Sequence, residues 1–117
     1  MAHNVNRENV PRATKVAAQY AEIMGPNNFF LELQNHGLEN QDRINRDIVT
    51  IGKKLDIPIV ATNNCHYLHK EDFRAHEILL CLQTGKTISD PYRMQYPAAE
   101  FYFKSMDEMS ELFKDTP

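Results

Sequence analysis

The sequence predicts an α/β fold of about two to three parallel βα units. Residues 29–34 (FFLELQ) and 57–61 (IPIVA) are short apolar runs rich in side chains that favour strands. Between them we expect a helix from Asn40 or Gln41 onward, with one apolar stripe formed by Ile44, Ile48, Ile51 and Leu55. A strand, a helix and a second strand in this order predict a parallel strand pair.

The first element is a predicted helix within residues 6–24. Its apolar side chains recur at helical spacing on one face, and they are Val10, Ala13, Val16, Ala17, Tyr20, Ala21 and Met24. Pro11 fits only the first turn of a helix, so we expect the helix to begin near Glu8 or Asn9. Gly25 is expected to end it.

The strand that follows carries a carboxylate. Alternation within FFLELQ puts Glu32 on the same face as Phe30 and Gln34. Glu32 is either a surface residue on a half-exposed strand or a polar group in a buried network. The two interpretations have equal weight, because both strands have the composition of strands buried on both faces. A loop at residues 35–37 follows, with His36 as a polar candidate at the strand end.

The second half of the chain predicts two more helices. The first begins within residues 69–72 and stops at Gly85, with an apolar side made of Phe73, Ile78, Leu79, Leu80 and Leu82. A polar loop at residues 84–96 and a short strand at residues 100–104 come next. Ser105 and Glu108 then form a capping box for a last helix, whose inward side chains are Met106, Met109, Leu112 and Phe113.

The candidate chemistry lies at residues 62–66 (TNNCH), directly after the second strand. Parallel sheets present their sites at the carboxyl ends of strands. Asn64 and His66 are two residues apart, so in extended backbone both would face one ligand. A neutral imidazole is a good transition-metal ligand and an amide is a poor one. The alternative is a loop histidine with hydrogen-bond partners, and Cys65 is expected to be a small buried hydrophobe.

The other histidines carry weaker predictions. We expect His36, His69 and His76 to be structural or solvated. Residues 84–86 (TGK) resemble part of a phosphate loop but lack its upstream glycine, so we reject that interpretation. No nucleophile lies in an evident pattern with a base, and no catalytic residue is assigned.

Composition excludes several classes of protein. Lys and Arg number 13 and Asp and Glu 16, for a formal net charge of −3, which is no electrostatic footprint for nucleic acid. No apolar run approaches the length of about 18 residues that a membrane span needs, and the N-terminus has no signal-peptide core. Two cysteines make no disulfide framework, so we expect reduced thiols and a cytoplasmic protein.

Longer motifs then become recognisable. The stretches are FFLELQNHGLENQDRIN, IPIVATNNCHYLHKEDFRAHEILLCLQTGK, DPYRM and EFYFKSMDEMSELF, in this order. They resemble the later part of the PHP (polymerase and histidinol phosphatase) domain of bacterial DNA polymerase III alpha subunits, the family C replicative polymerases. The resemblance implies a partial PHP-type distorted β/α barrel, truncated at both ends. It assigns residues 1–104 to the C-terminal portion of the PHP domain and residues 105–117 to the start of the thumb.

The resemblance also implies a metal site, and the sequence departs from it. In the family, the strand corresponding to residues 57–61 ends in Asp-x-His, and both side chains bind metal. His66 matches the histidine, whereas Asn64 stands where the family has aspartate, which removes a negative charge. The other metal ligands and the catalytic aspartates lie outside this chain. We expect no cofactor in the fragment, while the parent would use Mg²⁺ for polymerisation and Zn²⁺ or Mn²⁺ in the PHP site.

Two functions of different class follow from the resemblance. The first is a structural and interaction part of the PHP domain of a replicative polymerase, inactive by itself. The alternative is a metal-dependent PHP phosphoesterase or 3′–5′ exonuclease module with a degenerate site. Partners of the parent would be DNA, deoxynucleotides and replicase subunits, including the proofreading exonuclease. A half barrel leaves strand edges and apolar helix faces open, so we expect the fragment alone to form a homodimer.

Overall fold

The computed structural model describes residues 9–116 and begins with helix α1, Val10–Met24. Asn9 caps this helix, because its side-chain oxygen accepts a hydrogen bond from the N–H of Arg12 at 3.1 Å. Pro11 lies in the first turn as predicted, and the alternative start at Glu8 lies outside the described residues. Ala13 and Ala17 are buried, but Tyr20 and Met24, which were predicted to face the core, are largely exposed.

The centre of the fold is a βαβ unit. Strand β1 is Leu31–Leu33, helix α2 is Gln41–Leu55, and strand β2 is Ile59–Ala61. The predicted parallel pair is confirmed, with Leu31 opposite Ile59. Both strands are shorter than predicted, because only three residues of each form the ladder.

One hydrophobic core lies between α1, α2 and the sheet. Its buried members are Ala13, Ala17, Leu31, Leu33, Ile48, Val49, Ile51 and Ile57. The predicted stripe of α2 therefore faces the core, with Ile44 and Leu55 packed at its margin. Gly52 permits the close approach of α2 to β2, because a Cβ there would lie 2.9 Å from Cδ1 of Ile59.

The other face of the sheet is open. Phe30 is 48% exposed, Val60 is 39% exposed, and Glu32 is exposed between them. The prediction that both strands are buried on both faces is wrong for these residues. Within residues 9–116 the sheet contains only β1 and β2, so nothing in this part of the chain covers that face or extends its edges.

The second half of the chain packs more loosely. A 3₁₀ turn at Lys70–Asp72 leads into helix α3, Phe73–Thr84, which ends at Gly85 as predicted. Only Leu80 and Cys81 of α3 are buried. Ile78, Leu79 and Leu82, predicted to lie on a buried side, are exposed because no described element packs against that side.

The predicted strand at residues 100–104 is wrong. This segment forms a single parallel bridge, Tyr67 with Tyr102, because its hydrogen bonds go to the irregular chain after β2. Helix α4, Met106–Leu112, follows with both halves of the predicted capping box. Met106, expected inside, is exposed. No helix within the described residues is long and apolar enough to cross a bilayer.

Candidate functional site

Polar side chains from both strands gather at one edge of the sheet. Because β1 and β2 are parallel, their carboxyl ends at Leu33 and Ala61 lie side by side. The N–H of Thr62 donates to the carbonyl of Leu33 at 3.0 Å. The N–H of Asn64 donates to Nε2 of His36 at 3.3 Å. Of the residues predicted at the strand ends, the structure therefore brings together His36 and the backbone of Asn64.

His36 is the most buried polar residue of this edge, with 3% of its surface exposed. Its ring stacks on Phe101, with the centroids 4.3 Å apart and the planes at 8°. Its Nδ1 lies 3.1 Å from the amide nitrogen of Gln41, and Nε2 faces the N–H of Asn64. Burial, and then the charge of Lys104, lower the pKa of His36 below its usual 6.5. A neutral ring has one lone pair, so it accepts from only one of these two donors, and its other nitrogen carries the proton.

Asn63 is the residue of the site that sequence reasoning missed. Its Nδ2 donates to the backbone carbonyls of Glu100, at 3.1 Å, and Tyr102, at 2.6 Å. Its Oδ1 is buried without a hydrogen-bond partner among the described residues. Asn63 therefore ties the end of β2 to the segment that carries Phe101. Nothing in the sequence separates it from its neighbour Asn64, because the carbonyls it binds are backbone groups far along the chain.

His66 belongs to an aromatic cluster. Its backbone N–H donates to the carbonyl of Phe101 at 2.7 Å. The hydroxyl of Tyr96 lies 2.9 Å from its Nε2 and 3.3 Å from its Nδ1. The ring centroids of Tyr96 and His76 are 4.6 and 5.6 Å from that of His66. Of the two interpretations of His66, these contacts favour the hydrogen-bonded loop histidine.

Asn64 and Cys65 lie on the surface. Strand geometry ends at Ala61, so strand alternation no longer sets the directions of Asn64 and His66. The prediction that Cys65 is a buried hydrophobe is wrong: it is exposed, with Sγ 3.5 Å from the carbonyl of Tyr102. The buried cysteine is Cys81 in α3.

Glu32 follows the first of its two interpretations. It is exposed on the open face of the sheet and accepts a hydrogen bond from Oγ1 of Thr62 at 2.5 Å. The amide of Gln34 lies 3.5 Å from the same carboxylate. These three polar side chains form a surface row across the two strands, apart from His36 and His66.

An ionic network borders the aromatic cluster. The ammonium of Lys104 lies 2.8 Å from Oε2 of Glu100 and 3.9 Å from the ring centroid of Tyr102. Lys70 binds the same carboxylate at 2.9 Å. The hydrogen bond from Tyr102 to Glu108 at 2.6 Å, together with burial, raises the pKa of Tyr102 to about 12. The network fixes α4 against the segment that follows β2.

The described residues do not by themselves assemble the divalent metal site that the resemblance implies. Within residues 9–116 no three His, Cys, Asp or Glu side chains lie close enough together to hold a metal ion. Asn64 is an amide, both nitrogens of His66 face the hydroxyl of Tyr96, and both nitrogens of His36 face donors. The TGK segment is no phosphate site either, because it lies at the C-terminus of α3 and its Lys86 pairs with Asp90.

Two clefts lie beside the N-terminal half of α2, away from His66. One has a volume of about 460 Å³ between α2 and the end of the chain, and Asp42, Asp115 and Arg46 line it. The other, of about 560 Å³, is lined by Glu39, Asp42 and Glu100 and by no Lys or Arg among the described residues. The lining of the second cleft would repel phosphates, whereas the first cleft has charges of both signs.

Comparison with known proteins matches the motifs quoted above to one family. The chain is 48% identical over 103 residues to a DNA polymerase III subunit alpha of Mycobacterium leprae, a match that covers 88% of this chain and 9% of that protein. The chain is homologous to a segment of the DNA polymerase III alpha subunit. Alpha subunits of Campylobacter jejuni and Thermus aquaticus are 43% and 44% identical, over 90% and 74% of this chain. No family model matches the chain.

The chain spans less than a tenth of the length of these alpha subunits, with 9% of the M. leprae and C. jejuni proteins and 7% of the T. aquaticus protein covered. The expected resemblance to DNA polymerase III alpha subunits is therefore confirmed for most of the chain. The residues described above account for a small part of these alpha subunits.

Proposed function

We propose that the chain is a structural and interaction segment of a replicative DNA polymerase alpha subunit and catalyses no reaction by itself. The observation that carries this proposal is the homology to alpha subunits over 88% of the chain. We further propose that it is part of a PHP-type β/α barrel. The parallel pair of β1 and β2, with α2 as the crossover, is the repeating unit that such a barrel needs.

The open face of the sheet supports a place inside a larger domain. Parallel sheets are covered on both faces in most proteins, because their crossover helices pack on them. Here Phe30 and Val60 lie exposed on the face opposite α2, and the sheet has two strands among the described residues. We propose that other strands and side chains of the parent protein cover this face and extend the sheet.

The parent protein supplies the activity in this proposal. Polymerisation in the parent would use two Mg²⁺ ions, which stabilise the attacking and leaving oxygens of phosphoryl transfer. Its partners would be DNA, deoxynucleotides and other replicase subunits, including the proofreading exonuclease, and its location the cytoplasm. Residues 1–104 would belong to the PHP domain and residues 105–117 to the thumb.

Substitution of Val60 tests the covered face. In the 117-residue chain Val60→Asp changes a partly exposed side chain opposite Glu32, and the repulsion between the two carboxylates should lower the free energy of unfolding by about 1 kcal/mol at most. In a full-length alpha subunit the same change would bury an unpaired charge and cost several kcal/mol. Urea denaturation measures the effect on the 117-residue chain. Soluble yield and thermal melting measure the effect on the full-length protein.

Thr50→Asp is the matched control, because Thr50 is exposed on α2. It should be tolerated in both proteins. Equal tolerance of Val60→Asp in the full-length alpha subunit would show that the face is open there, and would contradict the barrel proposal.

The isolated chain is proposed to form a homodimer, because its strand edges and the exposed side of α3 have no cover among the described residues. Exchange of a terminal helix between two copies is one route. Light scattering during size-exclusion chromatography over a wide concentration range measures the mass. A compact monomer that melts cooperatively at micromolar concentration would contradict this.

The alternative function, a metal-dependent phosphoesterase or exonuclease module, makes a different prediction. It requires divalent metal, and we propose that this chain binds none tightly, since His66 is its only strong carried-over ligand and a stable site needs about three or four. In a full-length PHP domain that keeps the other ligands, Asn64→Asp should raise metal affinity by restoring a charged oxygen. Calorimetric titration measures this, and an unchanged affinity would mean that Asn64 does not occupy the aspartate position.

A further inference from the structure

Residues 86–99, called the strap below, connect α3 to the segment that carries Phe101. The strap contains no helix or strand, so contacts of its side chains hold it against the rest of the fold. Two such contacts reach outside it to buried or clustered groups. One holds Arg93 and the other holds Tyr96.

Arg93 fixes the first part of the strap to α3. Its guanidinium binds Oε1 of Glu77 at 2.7 Å, and both side chains are largely buried. Its Nε donates to the carbonyl of Ile88 at 3.1 Å, which folds the strap back on itself. A charge-assisted pair with little exposure resists exchange with water, so this end of the strap is held firmly.

Tyr96 fixes the second part. Its hydroxyl lies within hydrogen-bond distance of both ring nitrogens of His66, so either neutral tautomer of His66 leaves a nitrogen that can accept the proton. Its ring meets those of His76 and Phe101, with centroids 5.0 and 4.7 Å away. His66 in turn is held by its own N–H on the carbonyl of Phe101.

We infer that His66 is the anchor of the strap, and that the hydroxyl of Tyr96 latches the strap beside the strand ends through its hydrogen bond to the ring of His66. The donor set around His66 does not fit a divalent cation, because its ring nitrogens face a hydroxyl and its neighbour Asn64 offers an amide. The latch uses residues of this chain only. It is therefore independent of whether the chain works within a polymerase.

Hydrogen exchange of the full 117-residue chain, followed by mass spectrometry, tests the latch. Tyr96→Phe keeps the ring and removes the hydroxyl. A net hydrogen bond of ordinary strength corresponds to a roughly 2- to 12-fold change in the opening equilibrium. Amide exchange in residues 86–99 should accelerate by this factor, relative to exchange in Gln41–Leu55 of the same sample.

Tyr92→Phe is the matched control, because Tyr92 lies in the strap, is 88% exposed, and its hydroxyl makes no hydrogen bond to the described residues. It should leave strap exchange unchanged. His66→Ala also removes ring contacts, so it should accelerate exchange at least as much as Tyr96→Phe does, and the double variant should accelerate exchange no further than His66→Ala alone. Equal exchange in the two tyrosine variants, or an additive double variant, would overturn the latch. An acceleration shared equally by α2 would overturn it too, because that is global destabilisation.

A zinc titration tests the anchor role separately. Added Zn²⁺ alone should leave strap exchange unchanged at equimolar concentration. Stoichiometric zinc binding that His66→Ala abolishes would overturn the assignment of His66 as an anchor, whatever the tyrosine variants show.

Discussion

Among the polar contacts at the strand ends, we expect the loss of those made by Asn63 to lower the free energy of unfolding most. In Asn63→Ala the carbonyls of Glu100 and Tyr102 both lose the donor that Asn63 supplies, while the carbonyl of Glu100 keeps the hydrogen bond from Nζ of Lys104 at 2.8 Å. Each such hydrogen bond contributes about 0.5–1.5 kcal/mol, so we expect the free energy of unfolding to fall by about 1–3 kcal/mol.

Asn63→Asp sharpens the prediction. It replaces the donating amide by a second oxygen, and an ionised carboxylate would then face two carbonyl oxygens at hydrogen-bond distance. We expect Asn63→Asp to destabilise the chain more than Asn63→Ala does at pH 7. Burial and the facing carbonyls should raise the pKa of the new carboxyl, because its protonated form can donate one hydrogen bond. Part of the lost stability should therefore return as the pH falls toward 4.

The neighbouring residue provides the control. Asn64 is exposed, its side chain makes no hydrogen bond within residues 9–116, and its bond to His36 uses the backbone N–H. Asn64→Ala should therefore change stability by about 0.5 kcal/mol or less. Urea denaturation followed by circular dichroism, at one fixed protein concentration, compares the variants. Equal stability of the alanine variants of Asn63 and Asn64 would refute the bridging role of Asn63.

Three further predictions concern other parts of the fold. Gly52→Ala should lower the free energy of unfolding by about 1 kcal/mol, because overpacking against Ile59 outweighs the gain in helix propensity. A higher free energy of unfolding for Gly52→Ala, measured by urea denaturation, would contradict this. Burial lowers the folded-state pKa of both His36 and His76, so protonation of these rings should favour the unfolded chain. The free energy of unfolding should therefore be highest above pH 6.5 and decline as the pH falls below it. A melting temperature that stays constant between pH 7 and 5 would disprove this. Ser105→Ala should cost about 1 kcal/mol by removing the cap of α4, measurable as loss of helical circular dichroism, whereas Ser105→Asp should retain most of the stability.

Local patterns predicted the βαβ unit well. The stripe of α2 lies three and four residues apart, so its direction follows from helix geometry, and Gly25 and Gly85 end their helices as glycine does elsewhere. The capping box of α4 is equally local. Homology to alpha subunits could be recognised because several long motifs occur together.

Contacts between distant residues could not be predicted. The bond from Asn63 to Tyr102 joins groups 39 residues apart, and one of them is a backbone carbonyl with no identity in the sequence. The apolar side chains of α3 predicted a buried side, but burial depends on what packs there, and no described element does. Cys65 was placed by strand alternation, which ended at Ala61.

The stacking of His36 on Phe101 joins two residues that the ribosome makes at different times. A ribosome delivers β1, α2 and β2 before the segment that holds Phe101, and at usual synthesis rates the delay lasts several seconds. During that interval the nascent chain can close its apolar core, and His36 can already meet Gln41 and Asn64. The stacking partner of His36 and the two carbonyls that Asn63 binds arrive later, so the side chain of Asn63 stays exposed to water and to chaperones until then.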